Sequence, residues 1–175
     1  ARATMNIALG YYYKSKTDST IKYFELALEL YQELKDTVRI AACLNNLGIM
    51  YNSIGNTDKS VNYYLHSYTI SEARKDSIAM SKVLNNIGTI LSESNKIDLA
   101  IEYFQKTINI RLLIKDTLNL PLSYNNLGWV YFMKAISFNN KDFNKFYMFL
   151  RVLDKSKFTD SSLKYLDLSF NLYYS

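Results

Sequence analysis

The side chains best suited to chemistry are paired asparagines that recur every forty residues, at 45–46, 85–86 and 125–126. Asparagine is a poor residue for the middle of a helix, because its amide competes for backbone hydrogen bonds. One interpretation is structural: the amides bridge neighbouring helices, since buried polar groups need partners. The other is functional: one amide of each pair bonds both the C=O and the N–H of an extended peptide. Neighbouring residues on a helix point about 100° apart, so the two asparagines of a pair cannot share one task.

Residue types that could support catalysis or bind a metal are otherwise scarce. Cys43 and His66 are the only cysteine and histidine, which excludes a His/Cys metal cluster and an internal disulfide. The sequence has no glycine-rich phosphate loop, nucleophile elbow or paired-carboxylate motif. We therefore predict no cofactor, no metal and no enzymatic activity.

The elements that position these residues must be helices. Five glycines and one proline among 175 residues are too few for the tight turns of a β-sandwich or barrel. An apolar fraction of 49% is too high for a disordered chain. No apolar run is long enough to span a bilayer, so the sequence predicts no membrane span.

The net charge of +5 comes mainly from one segment. Residues 134–157 contain six Lys or Arg against two Asp, whereas the chain before them is nearly neutral. Because the basic character is local, the composition does not favour nucleic acid as a partner.

An internal repeat organises the helices. Residues 44–67 and 84–107 align without a gap, residues 124–131 begin a further copy, and residues 7–27 form an earlier one. Each copy has apolar residues at helical spacing, a polar turn and a second apolar stripe, which predicts two helices per repeat. The tripeptide Lys-Asp-Ser/Thr recurs at the same interval, at 35–37, 75–77 and 115–117.

Each second helix is expected to begin with a carboxylate, at Asp18, Asp58, Asp98 and Asp160. At a helix N-terminus a carboxylate accepts hydrogen bonds from orphan amides and opposes the helix dipole, which contributes about 0.3–1 kcal/mol. We expect these four residues to cap their helices.

The repeated residues resemble the tetratricopeptide repeat family. The family pattern has Leu-Gly, an aromatic residue three positions later, and small, aromatic and small residues on the second helix. The second copy supplies Leu47, Gly48, Tyr51, Ser60, Tyr64 and Ser67. The other copies supply Leu9, Gly10, Tyr13, Thr20, Phe24 and Ala27; Ile87, Gly88, Leu91, Ala100, Phe104 and Thr107; and Leu127, Gly128, Tyr131, Ser162, Leu166 and Ser169. The four glycines are expected where two helices approach closely.

The resemblance implies an all-α fold, a right-handed α-solenoid of four helix pairs that forms a single domain over residues 1–175. The repeats are expected at about 1–35, 37–75, 77–115 and 117–175. The fourth repeat is longer than the others, which predicts an insertion at about 136–157 with one extra helix at about 142–153. This basic, aromatic insertion is either a docking element or a packing helix, and the sequence favours packing.

The resemblance extends to repeats of the kinesin light chain type, whose Leu-Asn-Asn-Leu motif implies that the second asparagine contacts a peptide in the concave groove. The peptide-binding candidates are Asn46, Asn86, Asn126, Asn52, Lys82, Trp129 and Met133. The same face of the first helices also carries Ala42, Ile49, Ser53, Thr89, Glu93 and Phe132. The aromatic residues near 129–133 form either an anchor pocket or, if the insertion covers them, core. The sequence slightly favours core.

The leading hypothesis is a non-catalytic scaffold that binds a protein or peptide in the concave groove of the array. Repeats of this length also resemble arrays that precede a kinase or DNA-binding output domain in bacterial signalling proteins. The alternative is therefore a ligand-sensing regulatory domain of a sensor kinase or transcriptional regulator. The apolar end at 172–175 adds the hypothesis of packing on a further helix, another domain or a second copy. The partner and the compartment stay open.

Overall fold

The computed structural model describes the backbone of residues 1–137 and the side chains of residues 1–134. Within this range the chain forms seven α-helices and no strand, so the predicted all-α repeat array is confirmed. None of these helices is long and apolar enough to cross a bilayer. The helices are α1 (Arg2–Tyr13), α2 (Thr17–Glu33), α3 (Thr37–Ser53), α4 (Thr57–Ala73), α5 (Ser77–Glu93), α6 (Ile97–Leu113) and α7 (Leu120–Ser137).

Several sequence predictions lie outside the described residues. They concern the insertion from residue 138 onward, its extra helix at about 142–153, the second helix of the fourth repeat, the cap at Asp160 and the apolar end at 172–175. The single-domain interpretation and the repeat limits stay predictions.

The turns after α1 to α6 share one backbone feature. The second residue after each helix has a positive φ, between 53° and 75°, at Ser15, Lys35, Gly55, Lys75, Asn95 and Lys115. This left-handed residue ends a helix because the next amide turns back to a carbonyl of the last turn. Asn56 N, for example, donates to Tyr51 O at 2.9 Å. Five of these six residues are not glycine, and the conformation costs such a residue about 1 kcal/mol or more.

The recurring Lys-Asp-Ser/Thr tripeptide forms the joint between two repeats. Its lysine has the positive φ. In the first two copies its aspartate accepts a hydrogen bond from the first turn of the next helix, and in the third Asp116 accepts from Asn119 N, directly before α7. Asp36 Oδ1 accepts from Arg39 N at 3.1 Å, and Asp76 Oδ1 accepts from Ala79 N at 3.0 Å. The tripeptides at 35–37 and 75–77 are therefore a helix stop followed by a helix cap.

The capping role predicted for Asp18, Asp58 and Asp98 is wrong. These carboxylates lie inside the first turns of α2, α4 and α6, where they oppose the helix dipole. A cap must come from the preceding non-helical residue, and those positions hold Lys16, Asn56 and Lys96. Of these three, Asn56 caps its helix, accepting from Lys59 N at 3.2 Å.

The chain contains two compact units, Ala1–Asn86 and Ile87–Ser175. In the first unit α1 packs on α2, α2 on α3, and α3 on α4. One buried cluster of this unit consists of Ala8, Phe24, Leu47, Met50 and Tyr51. The apolar stripes of neighbouring helices thus meet in a core that no single repeat could bury alone.

Gly48 marks a close approach between α3 and α4. A Cβ at this position would lie 2.7 to 2.9 Å from ring atoms of Tyr64. Gly88 has the same relation to Phe104 in the second unit, at 2.8 to 3.1 Å, so close packing is confirmed at both glycines. At Gly10 the prediction is wrong, because no heavy atom lies within 4 Å of that point. The position forty residues before Gly48 is Ala8, which is fully buried. The helix expected to pack on Gly128 lies outside the described residues.

In the second unit α6 packs on α7 around Phe104, Tyr124, Leu127 and Val130. Arg111 is buried at the α6–α7 joint, with 3% of its surface exposed. Its Nη1 donates to Asn119 O at 2.6 Å and to Ser123 Oγ at 2.5 Å. Burial lowers the pKa of this guanidinium, and the nearby carboxylate of Asp116 opposes that shift. The arginine thus ties the end of α6 to the start of α7.

Candidate functional site

The candidate binding residues lie on one face of the first helix of each repeat. Spacings of three and four residues bring side chains to a common side of a helix. We call this set the first-helix face; it consists of Ala42, Asn46, Ile49 and Ser53 on α3, Lys82, Asn86, Thr89 and Glu93 on α5, and Asn126, Trp129 and Met133 on α7. Each compact unit contains part of this face, and each part lines grooves of its own unit.

The first unit contains a groove of about 320 Å³ between α3, α4 and the start of α5. Three residues predicted from the sequence, Ala42, Asn46 and Lys82, lie together in its wall. We call it the amide groove, and its lining residues are Val38, Ala41, Ala42, Asn45, Asn46, Ser67, Arg74, Asp76, Ile78, Ala79, Lys82 and Val83. Its volume is at the lower end of the range typical of ligand pockets.

Three charged residues line the amide groove. Arg74 and Lys82 are exposed, and Arg74 Nη1 donates to Thr37 Oγ1 at 2.9 Å, which orients the guanidinium. Asp76 is half-buried, and its Oδ1 accepts from Ala79 N in the helix cap. The groove therefore has two cations and one carboxylate that is already engaged in a cap.

The asparagine pairs serve two purposes in the first unit. Asn86 Nδ2 donates to Asn45 Oδ1 at 3.1 Å, so these two amides bridge α5 and α3. Asn45 and Asn46 both line the amide groove, whereas Asn86 is not among its lining residues. Asn86 thus takes part in a bridge between two helices, whereas Asn46 borders the amide groove.

A second groove of the first unit has a volume of about 430 Å³ and includes Ile49 and Ser53 of the first-helix face. We call it the tyrosine groove; it is lined by Tyr12, Tyr13, Ser15, Lys16, Thr17, Thr20, Ile49, Met50 and Ser53. The rings of Tyr12 and Tyr13 are 5.7 Å apart, and both residues are exposed. Tyrosine side chains, which combine an apolar ring with a solvent-exposed hydroxyl group, are common at binding surfaces.

The second unit contains a smaller groove of about 200 Å³ around Trp129. We call it the tryptophan groove; it is lined by Thr89, Ser92, Glu93, Phe104, Asn125, Asn126 and Trp129. The Trp129 ring lies 5.6 Å from that of Phe132, and 39% of the tryptophan is exposed. Phe132 and Met133 are half-buried. The structure therefore brings Asn126 and Trp129 together, with Met133 four residues further along α7.

The remaining candidates have other surroundings. Asn52 is half-buried and already engaged in an interaction. Cys43 is fully buried, and burial raises the pKa of its thiol to about 11, which is the opposite of what a nucleophile needs. His66 is exposed on α4. In the part of the chain that the structure describes, no three His, Cys, Asp or Glu side chains are grouped to hold a metal ion.

Val38, Ile78, Arg74 and Asp76 line the amide groove but are not among the candidates predicted from the sequence. The first two have a signal, because apolar residues recur at 38, 78 and 118 at the repeat interval. Arg74 has none, since the equivalent positions carry Leu34 and Ile114. Its position in the groove depends on the packing of α4 beside α3.

Sequence comparison identifies the repeats. One tetratricopeptide repeat family model matches residues 1–73 and a second matches residues 81–111. Together the two matches cover more than half of the chain. No curated protein matches the sequence.

Solved structures share the fold. Aspartyl phosphate phosphatase F from Bacillus subtilis is 21% identical with a TM-score of 0.72, and the match covers 74% of this chain and 34% of that one. The apo form of RapI is 18% identical with a TM-score of 0.68, and the match covers 98% of this chain and 67% of that one. Putative kinesin light chain repeats from Podosopora anserina are 12% identical with a TM-score of 0.70, covering 97% and 85%. The present chain spans about a third of the phosphatase, and at these identities the likeness concerns the fold alone.

Three observations agree. The repeat has a forty-residue period, Gly48 and Gly88 lie against aromatic rings of the following helix, and two tetratricopeptide repeat models match the chain. The chain belongs to the tetratricopeptide repeat family.

Proposed function

We propose that the chain is a non-catalytic scaffold that binds a protein segment or peptide along its first-helix face. The observation that carries this proposal is the amide groove, where the predicted residues Ala42, Asn46 and Lys82 lie in one wall. The groove combines an apolar lining with asparagine amides, a combination typical of sites that hold an extended segment.

The chemistry of the amides supports an extended segment as ligand. An asparagine side chain can donate to a backbone C=O and accept from a backbone N–H at the same time. Such contacts hold the main chain of a partner and leave its side chains to neighbouring pockets. Asn126 beside Trp129 in the tryptophan groove supplies the same pairing of an amide and an apolar surface in the second unit.

The test is selection of a phage-displayed random peptide library on the immobilised chain, followed by affinity measurement on the enriched peptides. We expect Asn46→Ala or Asn126→Ala to weaken binding about fivefold, the loss for one neutral hydrogen bond. The matched control is Asn62→Ala, an exposed asparagine on α4 outside the three grooves described above, which should leave affinity unchanged. Failure to enrich any peptide, or equal affinity after both groove substitutions, would contradict the proposal.

A further inference from the structure

The joint between α6 and α7 differs from the two earlier repeat joints. α3 begins at Thr37 and α5 begins at Ser77, the last residue of each tripeptide. The equivalent residue of the third joint is Thr117, but α7 begins three residues later, at Leu120. Pro121 explains this delay, because proline has no N–H with which to bond the carbonyl of the residue four positions earlier. The start of α7 therefore lacks a backbone hydrogen bond that a regular helix start has.

The backbone bonds that remain at this joint are long. Leu120 N donates to Asp116 O at 3.2 Å, whereas the equivalent bonds of the two earlier joints are both 2.9 Å. Ser123 N donates to Asn119 O at 3.3 Å, beyond the usual range for an N–H···O bond. Leu118 is 87% exposed, against 51% and 55% at the equivalent positions of α3 and α5. The backbone thus holds the start of α7 less firmly than the starts of α3 and α5.

A buried arginine supplies a further attachment. Among the described residues Arg111 is the only charged residue that is buried, and the equivalent positions of the two earlier repeats hold uncharged side chains. Its Nη1 donates both to Asn119 O, directly before α7, and to Ser123 Oγ, in the first turn of α7. Its Nε makes no hydrogen bond with the described part of the chain, and Asp116 Oδ2 lies 4.0 Å from it. Both of these hydrogen bonds from α6 to the start of α7 thus come from one guanidinium nitrogen.

The buried charge lowers the free energy needed to release this attachment. A guanidinium loses its hydration when it is buried, and its hydrogen bonds offset that loss only while they are intact. If the bonds to Asn119 and Ser123 break, the charge regains water, so opening costs less than the loss of two bonds alone would give. Local opening of this kind occurs in proteins while the rest of the chain stays folded.

We propose that the joint between α6 and α7 is a hinge that Arg111 holds closed, and that α7 moves away from α6 when the two hydrogen bonds of Nη1 break. The motion acts on the tryptophan groove, because Trp129 lies on α7, whereas Thr89 and Glu93 of the same groove lie on α5. The hinge therefore sets how wide this groove is, whatever the groove binds. This inference is independent of the proposed function.

The test measures how often α7 separates from α6 in the otherwise folded chain. Val130 is fully buried in the cluster between these helices, so a cysteine there reacts with a thiol reagent only when the helices separate. The full chain with Val130→Cys and Cys43→Ala is labelled with an aromatic disulfide reagent, without denaturant and at low urea concentrations. Local opening gives a labelling rate that hardly depends on urea, because only global unfolding exposes a large surface.

Two further substitutions should change this rate in opposite directions. Arg111→Lys keeps the charge but loses the planar set of donors, so labelling should become about tenfold faster. Pro121→Ala restores the missing N–H, so labelling should become about fivefold slower. The matched control is Arg39→Lys, the same change at a partly exposed arginine of α3 near the first joint, which should leave the rate unchanged.

Opposite changes from Arg111→Lys and Pro121→Ala, at rates insensitive to low urea, would support the hinge. Equal rates in the parent chain and all variants would overturn it. Rates that follow the global free energy of unfolding of each variant would also overturn it, since Arg111 would then only stabilise the fold. Because Pro121→Ala is expected to tighten the joint, one arm of the test uses a variant for which loss of folding is not expected.

Discussion

At the scale of the residue, Gly48 is fixed by a close contact with the following helix. Gly48 has no room for a methyl group because the Tyr64 ring occupies that space. We predict that Gly48→Ala lowers the free energy of unfolding by about 1–2 kcal/mol, since the overpacking cost exceeds the helix propensity gained. Chemical denaturation followed by circular dichroism measures this change.

Gly10 is the matched control for that substitution. It lies in α1, and no heavy atom lies within 4 Å of the point where an alanine methyl group would be, so Gly10→Ala should stabilise the chain by up to about 1 kcal/mol. If both alanines had the same effect, the contact with Tyr64 would not be what selects glycine at position 48.

At the scale of the element, the joints between helices store backbone strain. Lys35 has a φ of 54°, a conformation that glycine adopts without a steric penalty. We predict that Lys35→Gly raises the free energy of unfolding by about 0.5–1 kcal/mol, despite the greater freedom of glycine in the unfolded chain. Thermal unfolding of the variant and the wild-type chain shows whether the substitution raises or lowers stability.

The control for this substitution is the same change within a helix. Lys22 is exposed on α2, where glycine should cost about 1 kcal/mol. A gain in stability from Lys35→Gly and a loss from Lys22→Gly would support backbone strain at Lys35. Destabilisation by both substitutions would contradict it.

The bridge between α3 and α5 is a second property at the element scale. Asn86 Nδ2 and Asn45 Oδ1 are 3.1 Å apart and both residues are half-buried. A double-mutant cycle with Asn45→Ala and Asn86→Ala should give a coupling energy of about 0.5–1 kcal/mol. Denaturation of the two single variants and the double variant measures it, and additive effects would show that the bridge contributes nothing.

The extent of sequence prediction also differs between elements. Helices and repeat register follow from apolar spacing, because a helix buries one face whichever partner covers it. The predicted caps Asp18, Asp58 and Asp98 are wrong, since an acid near a helix start can lie either at the cap or inside the first turn. The carboxylates that do cap helices, Asp36 and Asp76, are absent from the predicted caps. Arg74 was not predicted as a groove residue, because its repeat equivalents are apolar.

At the scale of the whole molecule, the chain has a natural reporter in each compact unit. Cys43, the only cysteine, is buried in the first unit, and Trp129, the only tryptophan, is in the second. The stability of a repeat array is approximately a sum of local terms. We predict that Gly48→Ala shifts the unfolding midpoint reported by Cys43 thiol reactivity more than the midpoint reported by Trp129 fluorescence.

The thiol is a suitable probe because burial raises its pKa to about 11, so it reacts only when its surroundings open. The wild-type chain in full denaturant gives the rate for the exposed thiol. Equal shifts at both reporters would indicate that the chain unfolds as one cooperative unit.

The sequence alone determined the helical class, the forty-residue register and the face of the first helices, because these depend on local spacing and composition. Tertiary structure decided which members of that face meet. It joined Asn86 to Asn45, placed Asn46 and Lys82 in one groove and brought Arg74, which directly follows α4, into the same groove. These outcomes depend on the packing of helices from different repeats, and no periodicity within a single repeat contains that information.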